Sequence, residues 1–317
     1  MKKKFLLWCL CIVALTSCEK VVMDVQQTDV LENSTAEGVT VKLHVAQLEN
    51  QMTVSSTRAL VDVADACERL NFVVFNNGTK VKSISQKAGD EGFGTVSMTL
   101  QTGTYQLMVL AHSGKANPTL SNPEKVQFDN TGTSYSDTFY YYGDLVVNEA
   151  DEEGQVQSHD VKLDRAVSMF RLVIYDAIPD NVSQIRIWYE GGSGALNTVT
   201  GFGCVKSTQY VMYNMAGVTS PLQLEAYTFL HADEGDLSII VTAYDANSNI
   251  VKLREFSNVP MKRNQITQYS GNFFTTNSGS DDPVTPDDPV NPNNPDASSG
   301  FTFHVDTGWE GQTNFTY

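Results

Sequence analysis

Leu70-Asn71-Phe72-Val73-Val74-Phe75, Asn76-Asn77-Gly78-Thr79 and Lys80-Val81-Lys82-Ser83-Ile84 run on from one another without a break. Both flanks are rich in β-branched and aromatic residues. Between them Asn77-Gly78 supplies the positive φ angles that a type I′ turn requires. The stretch reads as a β-hairpin, and its pattern repeats in both directions. Upstream, Val39-Thr40-Val41-Lys42-Leu43-His44-Val45 alternates strictly, with Val39, Val41, Leu43 and Val45 on one face of a half-buried strand. Downstream, Thr95 to Leu100 alternates through Val96, Met98 and Leu100, and Gly103 to Ala111 is apolar throughout much of its length. Asp137 to Val147 is dense in tyrosine and valine and is also expected to be extended.

After an acidic loop, Glu149 to Glu153, the same signals resume. Strands are expected at Val161 to Leu163, Ala166 to Tyr175, Ile185 to Tyr189, Gln209 to Tyr213 and Leu222 to Leu230. A second hairpin joins Leu237 to Tyr244 with Ile250 to Phe256 through Asp245-Ala246-Asn247-Ser248-Asn249, and Asn264 to Phe274 supplies a last strand. No stretch holds a 3.6-residue apolar period over ten residues. Short strands separated by turn signals predict an all-β chain of two tandem β-sandwiches, residues 39–160 and 161–276.

The ends have a different character. Three lysines, Lys2, Lys3 and Lys4, precede the apolar run Phe5 to Leu15, which is shorter than the roughly 20 residues that span a bilayer. This is a secretory signal over residues 1–17. Its ending, Leu15-Thr16-Ser17-Cys18, resembles the lipobox of bacterial lipoproteins, which implies lipid on the Cys18 sulfur and a mature chain starting there. Residues 18–38 are polar and read as a tether. At the other end, residues 277–300 hold five of the ten prolines and no lysine or arginine, a polyproline-type, self-repelling linker. Residues 301–317 then regain strand character: Phe301, Phe303 and Val305 share one face, followed by Trp309, Phe315 and Tyr317. Such a strand pairs with an edge of its own sandwich or with one of another subunit.

The formal net charge is −16, and removing the three signal lysines brings the mature chain to −19. A surface of that sign repels phosphate backbones, so nucleic acid is excluded as a partner. Of the five cysteines, Cys9 and Cys11 leave with the signal and Cys18 is the lipidation site. Cys67 and Cys204 read as two buried small apolar residues, with one disulfide as the alternative. No Cys or His spacing suits a metal, and no cofactor is implied.

Catalytic patterns are weak. His44, His112, His159, His231 and His304 stand apart. Gly191-Gly192-Ser193-Gly194-Ala195 lacks the last glycine of a nucleophile elbow, and Gly201-Phe202-Gly203 is a lone fragment of a dinucleotide fingerprint. No catalytic residue is assigned. Trp188, on the face of Ile185-Arg186-Ile187-Trp188-Tyr189 opposite the isoleucines, and Trp309 are either a sugar-stacking platform or core.

Two motifs carry a wider resemblance: Leu163-Asp164-Arg165-Ala166-Val167-Ser168-Met169-Phe170-Arg171-Leu172, and Asn258 to Phe274 with Arg263-Asn264-Gln265-Ile266-Thr267 at its centre. Together with the lipobox, the chain resembles the Bacteroidetes fimbrillin-like lipoproteins, above all the FimB-type fimbrial anchor and adhesin subunits of type V pili. The resemblance implies two transthyretin-like sandwich domains and a non-enzymatic surface role at the outer membrane. Its implied partners are the membrane itself (through lipid on Cys18), other fimbrial subunits and a host or bacterial surface receptor. Polymerising members of that family are cut after an arginine, lose their first strand and accept a neighbour's strand in its place. Arg58 before Ala59 matches the cut in kind. The candidate exchange segments are then Val39, Val41, Leu43 and Val45 at one end and Phe301, Phe303 and Val305 at the other.

Overall fold

The computed structural model describes residues 38–48, 63–129, 135–152, 154–275 and 309–317. The first half contains β1 (Val39–Leu48), the short helix α1 (Val63–Ala66), β2 (Arg69–Asn76), β3 (Thr79–Lys87) and β4 (Thr95–Leu100). Next come β5 (Gly103–His112), β6 (Val126–Gln127), β7 (Thr138–Val147) and β8 (Val156–Arg165). The second half holds β9 (Ser168–Ile174), β10 (Gln184–Glu190), β11 (Ala195–Asn197), β12 (Phe202–Gly203), β13 (Gln209–Asn214) and β14 (Leu222–Thr228). It ends with β15 (Glu234–Tyr244), β16 (Ile250–Lys262), β17 (Gln265–Gly271) and β18 (Gly311–Thr316). The chain is all-β, as its alternation predicts.

The expected hairpin is β2–β3, and Asn77 and Gly78 take φ of 49° and 77° at its turn. These positive angles cost glycine nothing and asparagine little, which is why this dipeptide turns the chain here.

The first-half strands form one seven-stranded sheet in the order β3-β2-β5-β7-β8-β1-β4. It doubles back on itself at β8. Val156 to Leu163 pair with β1, whereas Asp164 and Arg165 pair with β7. The two wings enclose one core in which Val41 and Leu43 of β1 share a cluster with Phe72 and Val74 of β2 and Leu107 of β5. The junction expected after residue 160 falls inside β8, all of whose partners are first-half strands.

The second half is a two-layer sandwich. One layer runs β14-β9-β17-β18 and the other β13-β10-β15-β16. Phe170, Leu172 and Ile174 from the first face Ile185, Ile187, Ile239 and Val241 from the second across a shared core. A third apolar cluster joins the halves. Val73, Phe75, Met108 and Leu110, on the outer face of β2 and β5, cluster with Phe128, Met169, Phe229, Ile266 and Trp309. Both faces of β2 are therefore buried, and its apolar run is continuous rather than alternating.

Candidate functional site

Strand β1 lies between two neighbours, antiparallel to β4 and parallel to β8. Val41 and Leu43 are fully buried, and Val39 and Val45 nearly so. Burying each such side chain stabilises by about 1.5–3 kcal/mol. Removing β1 would open a trough whose floor is apolar and whose walls are the unpaired backbones of β4 and β8. Such a trough accepts only another strand with the same alternation, because a one-residue slip turns the polar set inward.

At the far end, β18 pairs in parallel with β17 and forms the edge of its layer. The last strand thus docks on its own chain, and it lies further along than Phe301 to Asp306. Phe301, Phe303 and Val305 lie outside the described residues, as do Cys18, Arg58, Ala59 and the 277–300 linker. Three aromatic residues hold the tail. Phe315 stacks on Tyr269 with ring centroids 4.7 Å apart, Tyr317 meets Phe256 edge-on at 5.3 Å, and Trp309 is buried in the seam between halves.

Trp309 owes its position to Arg165, a residue to which the sequence reading gave no role. The Arg165 guanidinium lies 4.1 Å from the Trp309 ring centroid and 4.7 Å from that of Phe139. Its Nε and Nη2 donate to the two carboxylate oxygens of Asp137 at 2.7 and 2.8 Å, and Nη1 donates to Asn264 Oδ1 at 2.9 Å. Asn264 N–H donates to the Val167 carbonyl, and Glu310 N–H to the Asn264 carbonyl. The two motifs that carry the family resemblance therefore meet in space, around one buried cation. The signal was present in the sequence, since both motifs were singled out, but their contact was not legible.

Most of the remaining candidate groups serve structure. Trp309 is buried beneath Arg165, and Trp188 is half-buried on a different sheet, so the two do not form one platform. Ser193 is fully buried and its Oγ donates to the Ala195 carbonyl at 2.6 Å. A β-carbon on Gly192 would lie 1.9 Å from the Thr228 hydroxyl, so that glycine run answers a close approach rather than a nucleophile. Cys67 is buried and free, and burial pushes its thiol up to about 12. Cys204 is free and exposed, which corrects the expectation that both cysteines are buried: it follows β12 at the open end of a small three-stranded sheet. His112 is fully buried and accepts the Gly114 N–H at Nδ1; burial, then the nearby Arg69 charge, lowers it to about 4. Asp176 accepts the backbone N–H groups of Phe273, Phe274 and Thr275 and the Thr275 hydroxyl. Among the described residues no group of three or more His, Cys, Asp or Glu is placed to hold a metal ion.

The fold and its docked end strands define a β-sandwich protein whose first and last strands are held chiefly by side-chain burial and sheet pairing. The chain belongs to a family of unknown function (DUF6562), whose model matches residues 32–302. No curated protein matches it. Among solved structures it is similar to a candidate adhesin from Bacteroides ovatus, with 14% identity, a TM-score of 0.46, and coverage of 77% of this chain and 87% of that one. It is also similar to a candidate cell adhesion protein from Bacteroides fragilis, at 12% identity and TM-score 0.43, covering 80% and 99%. A third is the fimbrial anchor protein Mfa2 from Porphyromonas gingivalis, at 11% identity and TM-score 0.38, covering 68% and 81%. All three are adhesion or fimbrial proteins by description.

Proposed function

We propose that this chain is a lipid-anchored subunit of a surface fimbria, an anchor or accessory adhesin of the outer membrane that works by strand pairing and not by catalysis. In this reading Cys18 carries the lipid, residues 18–38 are the tether, and two transthyretin-like sandwich domains meet at the end of β8. The 277–300 spacer separates the second domain from the C-terminal strand. Its partners are other fimbrial subunits, with a host or bacterial surface receptor beyond them.

One observation carries the reading: β1 is an interior strand, paired on both sides, and yet it is the first strand among the described residues. It is therefore separable from the fold by a single cut upstream of α1, and Arg58-Ala59 lies in that interval. An anchor keeps β1 and has no trough to fill. A polymerising link loses it and accepts a neighbour's strand.

Mass spectrometry of the protein extracted from membranes tests this. The expected product begins at an acylated Cys18 and still contains Val39 to Val45. A mature chain beginning at Ala59 would make the protein a link in the fibre rather than its anchor. An unmodified Cys18 would remove the anchoring altogether.

A further inference from the structure

The two outer faces of the second-half sandwich differ in kind. On the β14-β9-β17-β18 layer, one cross-strand row reads Glu225, Arg171, Gln268 and Asn314, with Arg171 paired to Glu225 at 2.7 Å. Arg171 and Gln268 are themselves buried there, and Met169 and Ile266 on the same face pack against the first half, so this layer is covered by the chain itself. On the β13-β10-β15-β16 layer the matching row reads Tyr210, Trp188, Ile240 and Glu255. The next row reads Met212, Arg186, Thr242 and Leu253. Tyr210 is 38% exposed and Leu253 41%. The inward residues of the same strands, Ile185, Ile187 and Val241, already fill the core, so core packing does not account for the outward aromatic and aliphatic residues.

We infer that this face binds a neutral carbohydrate, with Trp188 and Tyr210 as the stacking platform. The pair is in direct register on adjacent antiparallel strands, so both rings stand on one surface. The carbon-bound hydrogens on one side of a pyranose ring are apolar and weakly positive, and they complement the electron-rich face of an indole or phenol. Polar groups border the aromatic pair: the Arg186 guanidinium, which lies 5.3 Å from the Tyr244 ring, and the exposed Glu255 at the end of the first row. Groups of this type donate to and accept from sugar hydroxyls.

Size argues for a sugar over a protein. Four strands and the three rows that end at Tyr244 span roughly 14 Å in each direction, or about 200 Å². A stable protein interface takes about 800 Å² from each partner. Charge argues for a neutral glycan, since a chain at −16 repels a polyanion. The face shares no strand with β1 or β18, so the inference stands apart from strand exchange.

The test is native affinity electrophoresis of the full chain in gels containing laminarin, xylan, galactomannan or yeast mannan, with polygalacturonate as the anionic comparison. We expect retardation in at least one neutral gel. Trp188→Ala and Tyr210→Ala should each weaken it by about tenfold or more, with Trp188→Phe retaining part. Thermal melts report folding, and should Trp188→Ala fail to fold, the exposed Tyr210 decides. The inference is overturned if no neutral gel retards the protein, if the variants are retarded equally, or if only polygalacturonate binds. It is also overturned if sedimentation shows a dimer that Trp188→Ala dissolves, which would give the face to a second copy of the chain.

Discussion

Arg165 and Asn264 stand ninety-nine positions apart in the chain and 2.9 Å apart in the fold, joined by a hydrogen bond from Nη1 to Oδ1. The contact closes the seam between the halves, because Arg165 ends β8 and Asn264 turns the chain from β16 into β17 at a left-handed φ of 58°. Arg165 is buried, forked onto Asp137 and sandwiched between Phe139 and Trp309. Lysine offers a point charge and no planar fork, so it cannot serve the carboxylate, the amide and the two rings together.

We therefore expect Arg165→Lys to destabilise the protein by about 3 kcal/mol, the usual result of breaking a buried pair. Chemical denaturation measures this. The same variant should shift Trp309 emission to the red as the indole gains water. A loss below roughly 0.5 kcal/mol, with unchanged emission, would show that Trp309 and Asn264 hold the seam without the cation.

His112 gives the fold an acid-sensitive point. The buried ring is lowered from 6.5 to about 4, first by burial, then by the Arg69 charge. A second proton would also displace the Gly114 N–H from Nδ1. Because the folded value lies below the unfolded one, the unfolded chain binds more protons between them. Stability is then complete above pH 6.5 and falls as the pH drops toward 4, by an amount on the order of 3 kcal/mol. Melting curves from pH 7.5 to 4 should show the decline, and His112→Gln should flatten it. An equally steep decline in that variant would place the acid sensitivity elsewhere.

Much of this architecture was legible in the residues, and the exceptions share a cause. Val39 to Val45 declares β1 because one face is buried and the other is wet. The first half of β8, Val156 to Asp160, escaped notice because those side chains bury little, and backbone pairing to β1 holds them. The sequence predicts a strand ending at Phe256, yet β16 runs through Pro260 to Lys262. Proline argues against an interior strand, but β16 is an edge, so the missing N–H costs no ladder bond to a further neighbour. Residues 301–317 have strand character, but their alternation points to Phe301 to Val305; β18 itself, Gly311 to Thr316, is mostly polar, and Phe315 and Tyr317 alone carry its apolar face. Contacts such as Arg165 with Asn264 leave no periodic trace at all.

Asp176 holds the segment that follows β17, Phe273 to Thr275. Burial alone would raise its carboxyl. Hydrogen bonds from Thr275, Phe273 and Phe274 outweigh that and hold it below its ordinary value of 3.8. A depressed folded value means that the contribution is present above the unfolded value and lost as pH falls through the folded one. Asp176→Asn keeps the shape but removes the charge that three N–H groups face. We expect it to lower the melting temperature at pH 7, and the gap from the unsubstituted chain should narrow as pH drops below 4. A gap independent of pH would mean that the carboxylate's charge is irrelevant and only its shape matters.

The alternation of β1 qualifies it for the trough between β4 and β8. A chain beginning at Ala59 lacks β1 and leaves Val96, Met98, Val161 and Leu163 without the side chains they cluster with. That chain should melt well below the full-length protein, and a peptide of residues 39–48 should restore much of the loss. Exchanging the two faces of the peptide, so that Thr40, Lys42 and His44 become apolar while Val39, Val41, Leu43 and Val45 become polar, keeps composition close to native. In the native register that peptide would bury its polar set, and a one-residue slip to correct it misplaces every ladder bond. Its rescue should therefore be weak. Equal rescue by both peptides would show that backbone pairing alone fills the trough, and partner choice through this strand would then have no side-chain basis.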